Sequence, residues 1–287
     1  MNPPITERPR ERIPLLIRLY AAIARAVDKA TNFHTMVWQE VLWSWTRPEE
    51  RAAVNRMMWD ASDDYLPGGV EYAQGLHDWE RRAILDPVFP QSGRILLAAA
   101  GGGRELGPLL KMGFDVVAFE PSPKLCAASQ EMAALYPRSI VIRASFEDLV
   151  EAATRRTGPL APYVLKEPFD AVILGWTSFT FLITADERRE LLLAARATAP
   201  KAPLLLSFAA QDRLKQNRTE RWRPRVGRIC RLLGAPSSRD PGDRFVPKMG
   251  FWHYLTKEEF HAAVQGAGYR IFYSAWGPLP YAMLMPE

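Results

Sequence analysis

Hydrophobic residues recur at every third or fourth position through residues 1–90, a spacing that predicts amphipathic helices. The predicted helices cover residues 13–33, 35–45, 48–60 and 71–85, with the turn signal Pro67-Gly68-Gly69 before the last one. We therefore expect residues 1–90 to form a helical cap. The apolar face of the first helix is open to three interpretations, namely packing within its own domain, binding to a membrane surface, or a homodimer interface.

After Gly93 the pattern changes to short apolar runs that alternate with helical periods, which is typical of a parallel α/β sheet. Seven strands are predicted, at residues 94–99, 115–119, 139–143, 169–174, 203–208, 269–274 and 281–285. Helices are predicted from about Glu105 and at residues 123–136, 147–157, 185–199 and 257–266. Residues 91–287 are therefore expected to form one doubly wound α/β domain.

Composition excludes several classes of protein. With 11% aromatic and 48% hydrophobic residues the chain is not mainly disordered, and no apolar run is long enough to span a membrane. The first twelve residues lack the features of a secretory signal. Cys126 and Cys230 form no paired motif, which argues against a disulfide scaffold and against zinc held by cysteines. These features together favour a cytoplasmic protein.

The net charge of +5 is concentrated in one basic segment at about residues 211–250. Eleven basic and four acidic residues lie between Gln211 and Met249. Arg218 and Arg221, with two further arginines at helical spacing, are expected to bind a carboxylate or phosphate of the substrate, although Pro224 interrupts this face. A solvated surface is the alternative. Nucleic acid is disfavoured as a partner because aromatic residues are scarce in the segment.

A glycine turn follows the first predicted strand and carries the strongest chemical signal. Gly101-Gly102-Gly103 would bring the backbone close to a ligand, and Ala99, Ala100 and Glu105 belong to the same turn. Glu120 ends the second strand, where a carboxylate can accept both hydroxyls of a ribose. This arrangement predicts a ligand that contains a nucleoside. A dinucleotide is disfavoured, though still open, because Leu106 stands where its fingerprint has a third glycine.

From this point the sequence resembles the class I S-adenosylmethionine-dependent methyltransferases over residues 92–287. The residues that carry the resemblance are Leu97 to Gly103, Phe119 to Pro123, Ala144 to Leu149, Pro168 to Trp176, Ala199 to Leu206, Tyr254 to Phe260, and Ala267 to Tyr269. Three positions depart from the family pattern. Leu97 replaces an acidic residue near the methionine ammonium, Ala99 replaces the first glycine, and Ser145 replaces an acidic residue near the adenine.

The resemblance implies a Rossmann-like sheet of seven strands, the last antiparallel, and S-adenosyl-L-methionine (SAM) as cofactor. It assigns the residues from Ala99 to Gly103 to the methionine end, Glu120 with Pro121 and Ser122 to the ribose, Ser145 and Phe146 to the adenine, and Gly175 and Trp176 to the region beneath the sulfonium. Tyr65 and Tyr72 precede the first strand, where tyrosines of the family often reach the cofactor carboxylate. Those tyrosines, Glu105 and Glu147 are the candidates to replace the missing acids.

The acceptor site is expected at the carboxyl end of strand four and in the basic segment. Trp176, Thr177 and Ser178 follow that strand and should face the ligand crevice. The resemblance places His253 and Tyr254 near the acceptor, with His253 as base or substrate contact or, alternatively, as a buried structural histidine. No histidines are spaced as metal ligands, so no metal is expected.

These observations predict methyl transfer from SAM to an oxygen or nitrogen atom of a small metabolite or peptide, and an acidic group on that acceptor would account for the arginines. Two alternatives come from other classes. One is a non-catalytic binding protein with this fold, and the other is a nicotinamide-dependent oxidoreductase.

Overall fold

The computed structural model describes residues 15–214 and 219–287. Four helices precede the sheet: α1 (Leu15–Trp45), α2 (Pro48–Asp60), α3 (Val70–Ala73) and α4 (Asp78–Ile84). The prediction of two helices over residues 13–45 is wrong within the described part, because the sequence around His34 contains neither glycine nor proline to interrupt α1. The single helix predicted over residues 71–85 is also wrong, since Gly75 adopts φ +59° and separates α3 from α4.

The strands of the sheet follow these helices, in the order that the apolar segments of the sequence predict. Its first part contains β1 (Arg94–Ala98), α5 (Leu106–Lys111), β2 (Asp115–Phe119), α6 (Pro123–Ala133), β3 (Ile140–Ile142), α7 (Phe146–Arg155), α8 (Ala161–Val164), β4 (Ala171–Leu174), α9 (Ala185–Thr198) and β5 (Leu204–Ser207). Its second part contains α10 (Arg223–Leu232), β6 (Asp243–Val246), β7 (Gly250–His253), α11 (Lys257–Gly266), β8 (Tyr269–Ala275) and β9 (Tyr281–Pro286).

The seven-stranded sheet has the order β3-β2-β1-β4-β5-β9-β8. Strands β1 to β5 pair in parallel, and β9 runs antiparallel to both of its neighbours. The prediction of seven strands with the last one antiparallel is therefore confirmed. The chain proceeds from β1 outward to β3 and then returns to β4, so a crevice opens between the carboxyl ends of β1 and β4.

The core lies on both faces of the sheet. Leu96 and Ala98 of β1 point into one apolar cluster with α7, α9 and α11, whereas Ile95 and Leu97 point into the other with α4, α5 and α6. Strands that are buried on both faces need continuous apolar runs, which explains why the sequence pattern located them well.

Strands β6 and β7 form a separate hairpin that the sequence analysis did not predict. Phe245 and Phe251 of this hairpin pack with Trp43 of α1 in a third apolar cluster. The nearby helix α10 has Pro224 in its first turn, so the proline begins this helix instead of interrupting it, contrary to our expectation. No helix among the described residues is long and apolar enough to cross a membrane.

Candidate functional site

The glycine turn is shaped by backbone conformations that glycine favours. After β1 the chain passes through Ala99 (φ +55°), Gly101 (φ +55°) and Gly103 (φ +101°). A Cβ atom on Gly102 would lie 2.1 Å from the carbonyl oxygen of Tyr65, so the turn can pack beneath that backbone only with a glycine at this position. A Cβ on Gly175 would lie 2.2 Å from the carbonyl oxygen of Ala99, which fixes the end of β4 beside the turn.

Glu120 lies directly after β2 and has its carboxylate anchored by backbone groups. Its Oε2 accepts a hydrogen bond from the N–H of Gly101 at 2.9 Å, and its Oε1 accepts one from the N–H of Ser122 at 2.9 Å. Burial raises the pKa of Glu120 to about 7, although the two backbone donors oppose the shift. Each carboxylate oxygen retains a lone pair, so this residue fits the two hydroxyls of a ribose.

A buried triad of charges lies at the other side of the turn. Arg104 donates to both carboxylate oxygens of Glu80, at 2.8 and 2.7 Å, and to Oε1 of Glu105 at 2.5 Å. The same Oε1 of Glu105 accepts the backbone N–H of Trp176 at 3.0 Å. Burial opposes the charge of Arg104, but the carboxylates of Glu105 and Glu80 outweigh it and raise the pKa of Arg104. The sequence analysis had predicted Glu105 but missed Arg104 and Glu80.

The glycine turn, Glu120, Arg104 and Glu105 line one cavity of about 360 Å³. This volume is within the range usual for small-molecule sites. The residues predicted from the sequence that line it are Tyr65, Ala99, Ala100, Gly101, Gly102, Glu105, Glu120, Pro121, Ser122, Ser145, Phe146, Glu147, Trp176 and Ser178. Gly103 and Gly175 lie in the adjoining backbone without lining it. The structure thus brings together residues from four separate strand ends, as expected for a crevice at the carboxyl side of the sheet.

Three buried polar atoms of the cavity lining have no hydrogen-bond partner among the described residues. They are Nε1 of Trp176, Oγ of Ser178 and Nε of Arg51. Buried polar atoms in proteins are almost always hydrogen-bonded, so these three groups are candidates for contacts with a ligand.

Several predicted residues lie elsewhere. Tyr72 is half-buried on α3, and the N–H of Thr177 donates to Oγ of Ser207 at 2.8 Å, but neither residue lines the cavity. Arg221 is exposed and Tyr254 follows β7 with its ring against Trp252, both outside the lining. Arg218 lies outside the described residues.

His253 is a buried, hydrogen-bonded histidine, which is the structural alternative given above. It is 1% exposed, with Nδ1 at 2.7 Å from the carboxylate of Asp243 and Nε2 at 3.3 Å from that of Glu259. These contacts tie the β6–β7 hairpin to α11 and do not bring the imidazole to the cavity. The structure therefore does not support His253 as a base for a ligand bound there.

The outer half of the cavity consists of residues that the sequence analysis did not single out. They are Pro48, Glu49, Arg51, Ala52, Asn55, Arg56 and Trp59 of α2, and Phe181, Leu182, Ile183, Thr184 and Glu187 between β4 and α9. The spacing of the α2 residues puts them on one face of that helix. A signal was present in the sequence, because α2 carries charged and aromatic residues on the same face.

No group of three or more potential metal ligands occurs among residues 15–214 and 219–287.

Comparison with known proteins shows the fold. A SAM-dependent methyltransferase from Clostridium acetobutylicum is 9% identical and matches 83% of this chain and 98% of its own, with a TM-score of 0.52. A SAM-dependent methyltransferase from Methanosarcina mazei (14% identity, 74% and 99% coverage, TM-score 0.48) and the methyltransferase CcbJ from Streptomyces caelestis (15%, 80% and 95%, 0.49) are more distant in shape. No protein-family model and no curated protein matches the sequence. The first structure shows that the chain has the fold of a SAM-dependent methyltransferase.

Proposed function

We propose that this protein transfers a methyl group from SAM to an oxygen or nitrogen atom of a small metabolite or peptide. The observation that carries the proposal is the cavity in which the glycine turn and the anchored carboxylate of Glu120 adjoin a wall of aromatic side chains. Bound SAM would supply an activated methyl group on a sulfonium.

The chain offers a group for each part of SAM. Glu120 suits the ribose hydroxyls, and Ser145 and Phe146 line the cavity where the resemblance expects the adenine. Glu105 can replace the acid that is missing at Leu97, because its Oε1 takes both hydrogen bonds and leaves Oε2 for an ammonium group. Arg104 and Glu80 then act as positioning residues that hold Glu105 in place.

An aromatic wall supports binding of a sulfonium cation. The rings of Trp59 and Tyr65 are 4.9 Å apart, those of Trp59 and Phe181 are 5.6 Å apart, and those of Tyr65 and Trp176 are 6.4 Å apart. Aromatic faces attract cations and exclude water from the reacting atoms. A pyrophosphate, by contrast, would meet the buried carboxylate of Glu105 at the start of α5, which disfavours the oxidoreductase alternative.

Methyl transfer needs alignment of the nucleophile with the methyl carbon more than it needs a dedicated base. Among the described residues, the side chains that line the cavity include no histidine, lysine or cysteine. The groups there that could act as a base are carboxylates, which are ordinarily weak bases near neutral pH. We therefore propose an acceptor whose nucleophilic atom is already unprotonated near neutral pH.

Calorimetric titration with SAM, with its demethylated product S-adenosylhomocysteine (SAH) and with NADH tests the proposal. We expect micromolar binding of the two adenosyl ligands, lost in Glu120→Ala and kept in Glu131→Ala, which removes an exposed carboxylate on α6. Binding of NADH alone would replace the proposal with an oxidoreductase. Binding of none of the three would indicate a non-catalytic protein with this fold.

A further inference from the structure

The outer end of the cavity contains an arginine that the proposed cofactor site does not use. Arg51 lies in the first half of α2 and lines the cavity together with Asn55, one turn further along the helix. Asn55 is fixed in place because its side-chain amide exchanges two hydrogen bonds with the backbone of Phe251, at 3.2 and 2.7 Å. The turn of α2 next to Arg51 is therefore held in place by these hydrogen bonds.

Arg51 differs from the other arginines that are buried or half-buried in the described part of the chain. Those arginines all have an ion pair or a hydrogen bond, and they are Arg94, Arg104, Arg188, Arg196, Arg223, Arg239 and Arg244. Arg51 has neither, and its Nε is buried without a partner. Its guanidinium carbon instead lies 4.2 Å from the centre of the Trp43 ring.

The carboxylates nearest to Arg51 have other roles. Glu187 accepts the backbone N–H of Thr184 as part of the cap of α9, and Glu49 is exposed in the first turn of α2. Asp243 accepts from the N–H of Asp240 and contacts His253. None of the three forms an ion pair with Arg51 within 4.0 Å, although Glu49 and Glu187 line the same cavity, so the half-buried guanidinium has no direct anionic partner, and burial lowers its pKa.

The separation between Arg51 and the aromatic wall along α2 limits the length of a ligand that contacts both. Eight residues of α2 separate Arg51 from Trp59, which corresponds to about 12 Å along the helix axis. The cavity is lined mainly by apolar surface, to which Ala52, Phe181 and Ile183 contribute beside the polar Asn55, Arg56 and Thr184. A ligand that reaches from the proposed transfer site to Arg51 therefore has an apolar body and an anionic end.

We propose that the methyl acceptor carries a carboxylate that binds Arg51, joined through an apolar body to an accepting atom near the aromatic wall. This inference rests on the proposed function, since it identifies the accepted molecule of that same cavity. It assigns anion recognition to α2 and not to the basic segment, whose Arg223, Arg239 and Arg244 already contact Glu40 and Glu220.

The test uses a matched pair of probes, biphenyl-4-carboxylate and biphenyl-4-carboxamide, which differ in charge and hardly in shape. Their affinities are measured by calorimetry on the full chain, with and without saturating SAH. We expect the wild-type protein to prefer the carboxylate by at least about tenfold, as befits a charge-assisted hydrogen bond. Arg51→Gln should lose this preference, while Arg51→Lys should keep part of it.

Controls separate the anion site from folding and from the cofactor proposal. Arg155→Gln makes the same change of charge at an exposed position of α7 and should bind both probes as the wild type does. Arg51→Gln should bind SAH normally, which shows that it is folded. Equal affinity of the wild type for both probes, or an unchanged preference in Arg51→Gln, overturns the inference. Failure of the wild type to bind SAH overturns the proposed function instead, since the preference is also measured without SAH.

Discussion

Ala99 adopts a left-handed backbone conformation that residues with a Cβ avoid. Its φ of +55° lies at the point where the resemblance expects the first glycine of the turn. The left-handed conformation costs an L-residue about 1–2 kcal/mol, and the greater freedom of glycine in the unfolded chain offsets about 0.4–1 kcal/mol of the gain. We therefore expect Ala99→Gly to raise the free energy of unfolding by about 0.5–1 kcal/mol, measured by urea denaturation.

The neighbouring Ala100 provides the matched control. It is 1% exposed and has no positive φ, so Ala100→Gly removes a buried methyl group and adds chain entropy to the unfolded state. This variant should be less stable than the wild type by about 1–2 kcal/mol. If Ala99→Gly destabilises the protein as Ala100→Gly does, the backbone at Ala99 is not strained.

Glu120 makes cofactor binding dependent on pH. Because its pKa is about 7, the carboxyl group is mostly protonated at pH 6 and mostly ionised at pH 8. The ionised form accepts ribose hydroxyls more strongly, so the affinity for SAH should rise about tenfold from pH 6 to pH 8, the change in the ionised fraction expected for a single group. Calorimetry in a series of buffers measures this slope.

Glu80 also lies near the cavity, and burial raises its pKa above the usual value although Arg104 opposes the shift. Glu120→Gln separates the two contributions, because it cannot ionise at position 120 and leaves Glu80 intact. We expect weaker binding by this variant and a nearly flat profile between pH 6 and pH 8. A profile as steep as that of the wild type would assign the pH dependence to another group.

The sequence predicts those site residues that are fixed by their position at the end of a strand. The glycine turn and Glu120 lie directly after β1 and β2, so their place in the crevice follows from the chain itself. Arg104 and Glu80 are 24 residues apart, and their contact depends on where α4 packs. The sequence left two interpretations of His253 open for the same reason, because its partners Asp243 and Glu259 lie in β6 and α11, which reach it only in the folded chain.

At the scale of elements, one acidic residue joins the N-terminal helices to the basic segment. Glu40 of α1 is 2% exposed and contacts Arg239 at 3.2 Å and Arg223 of α10 at 3.5 Å. Removing one partner of a buried ion pair leaves the other charge uncompensated, so Glu40→Gln should lower the free energy of unfolding by about 3–5 kcal/mol.

Asp28→Asn is the control for this prediction. Asp28 is an exposed acid on the same helix, and its substitution should change stability by less than about 0.5 kcal/mol. Urea denaturation of both variants decides the matter. Equal stability of the two would show that the arginines of the basic segment do not depend on Glu40.

Elements with a strong internal pattern were predicted well, and those defined by long-range contacts were not. The parallel strands are continuous apolar runs, and helices such as α9 and α11 carry their own capping boxes at Thr184 and Thr256. Strands β6 and β7 have four residues each and gain their apolar environment from Trp43, about 200 residues earlier in the chain. Nothing in their local sequence reveals that contact.

At the scale of the whole molecule, α1 and α2 both pack against the β6–β7 hairpin. Trp43 packs edge-on against Phe251 at 5.4 Å, and its indole N–H donates to the carbonyl of Ser238 at 2.9 Å. Asn55 of α2 bonds the backbone of the same hairpin strand. Helix α2, which lines the outer part of the cavity, is therefore held in part by a hairpin inserted after β5, and we expect the proposed acceptor end of the site to depend on this attachment.

Two tryptophans of α1 test this dependence. Trp43 is 1% exposed, whereas Trp38 is 53% exposed and donates only to His34 of its own helix. Trp43→Ala should lower the free energy of unfolding by about 3–5 kcal/mol, and Trp38→Ala by less than about 1 kcal/mol. Because Trp43 also supports Arg51, its loss should weaken binding of biphenyl-4-carboxylate more than binding of SAH. If both ligands weaken equally, the hairpin stabilises the whole cavity and not its outer half alone.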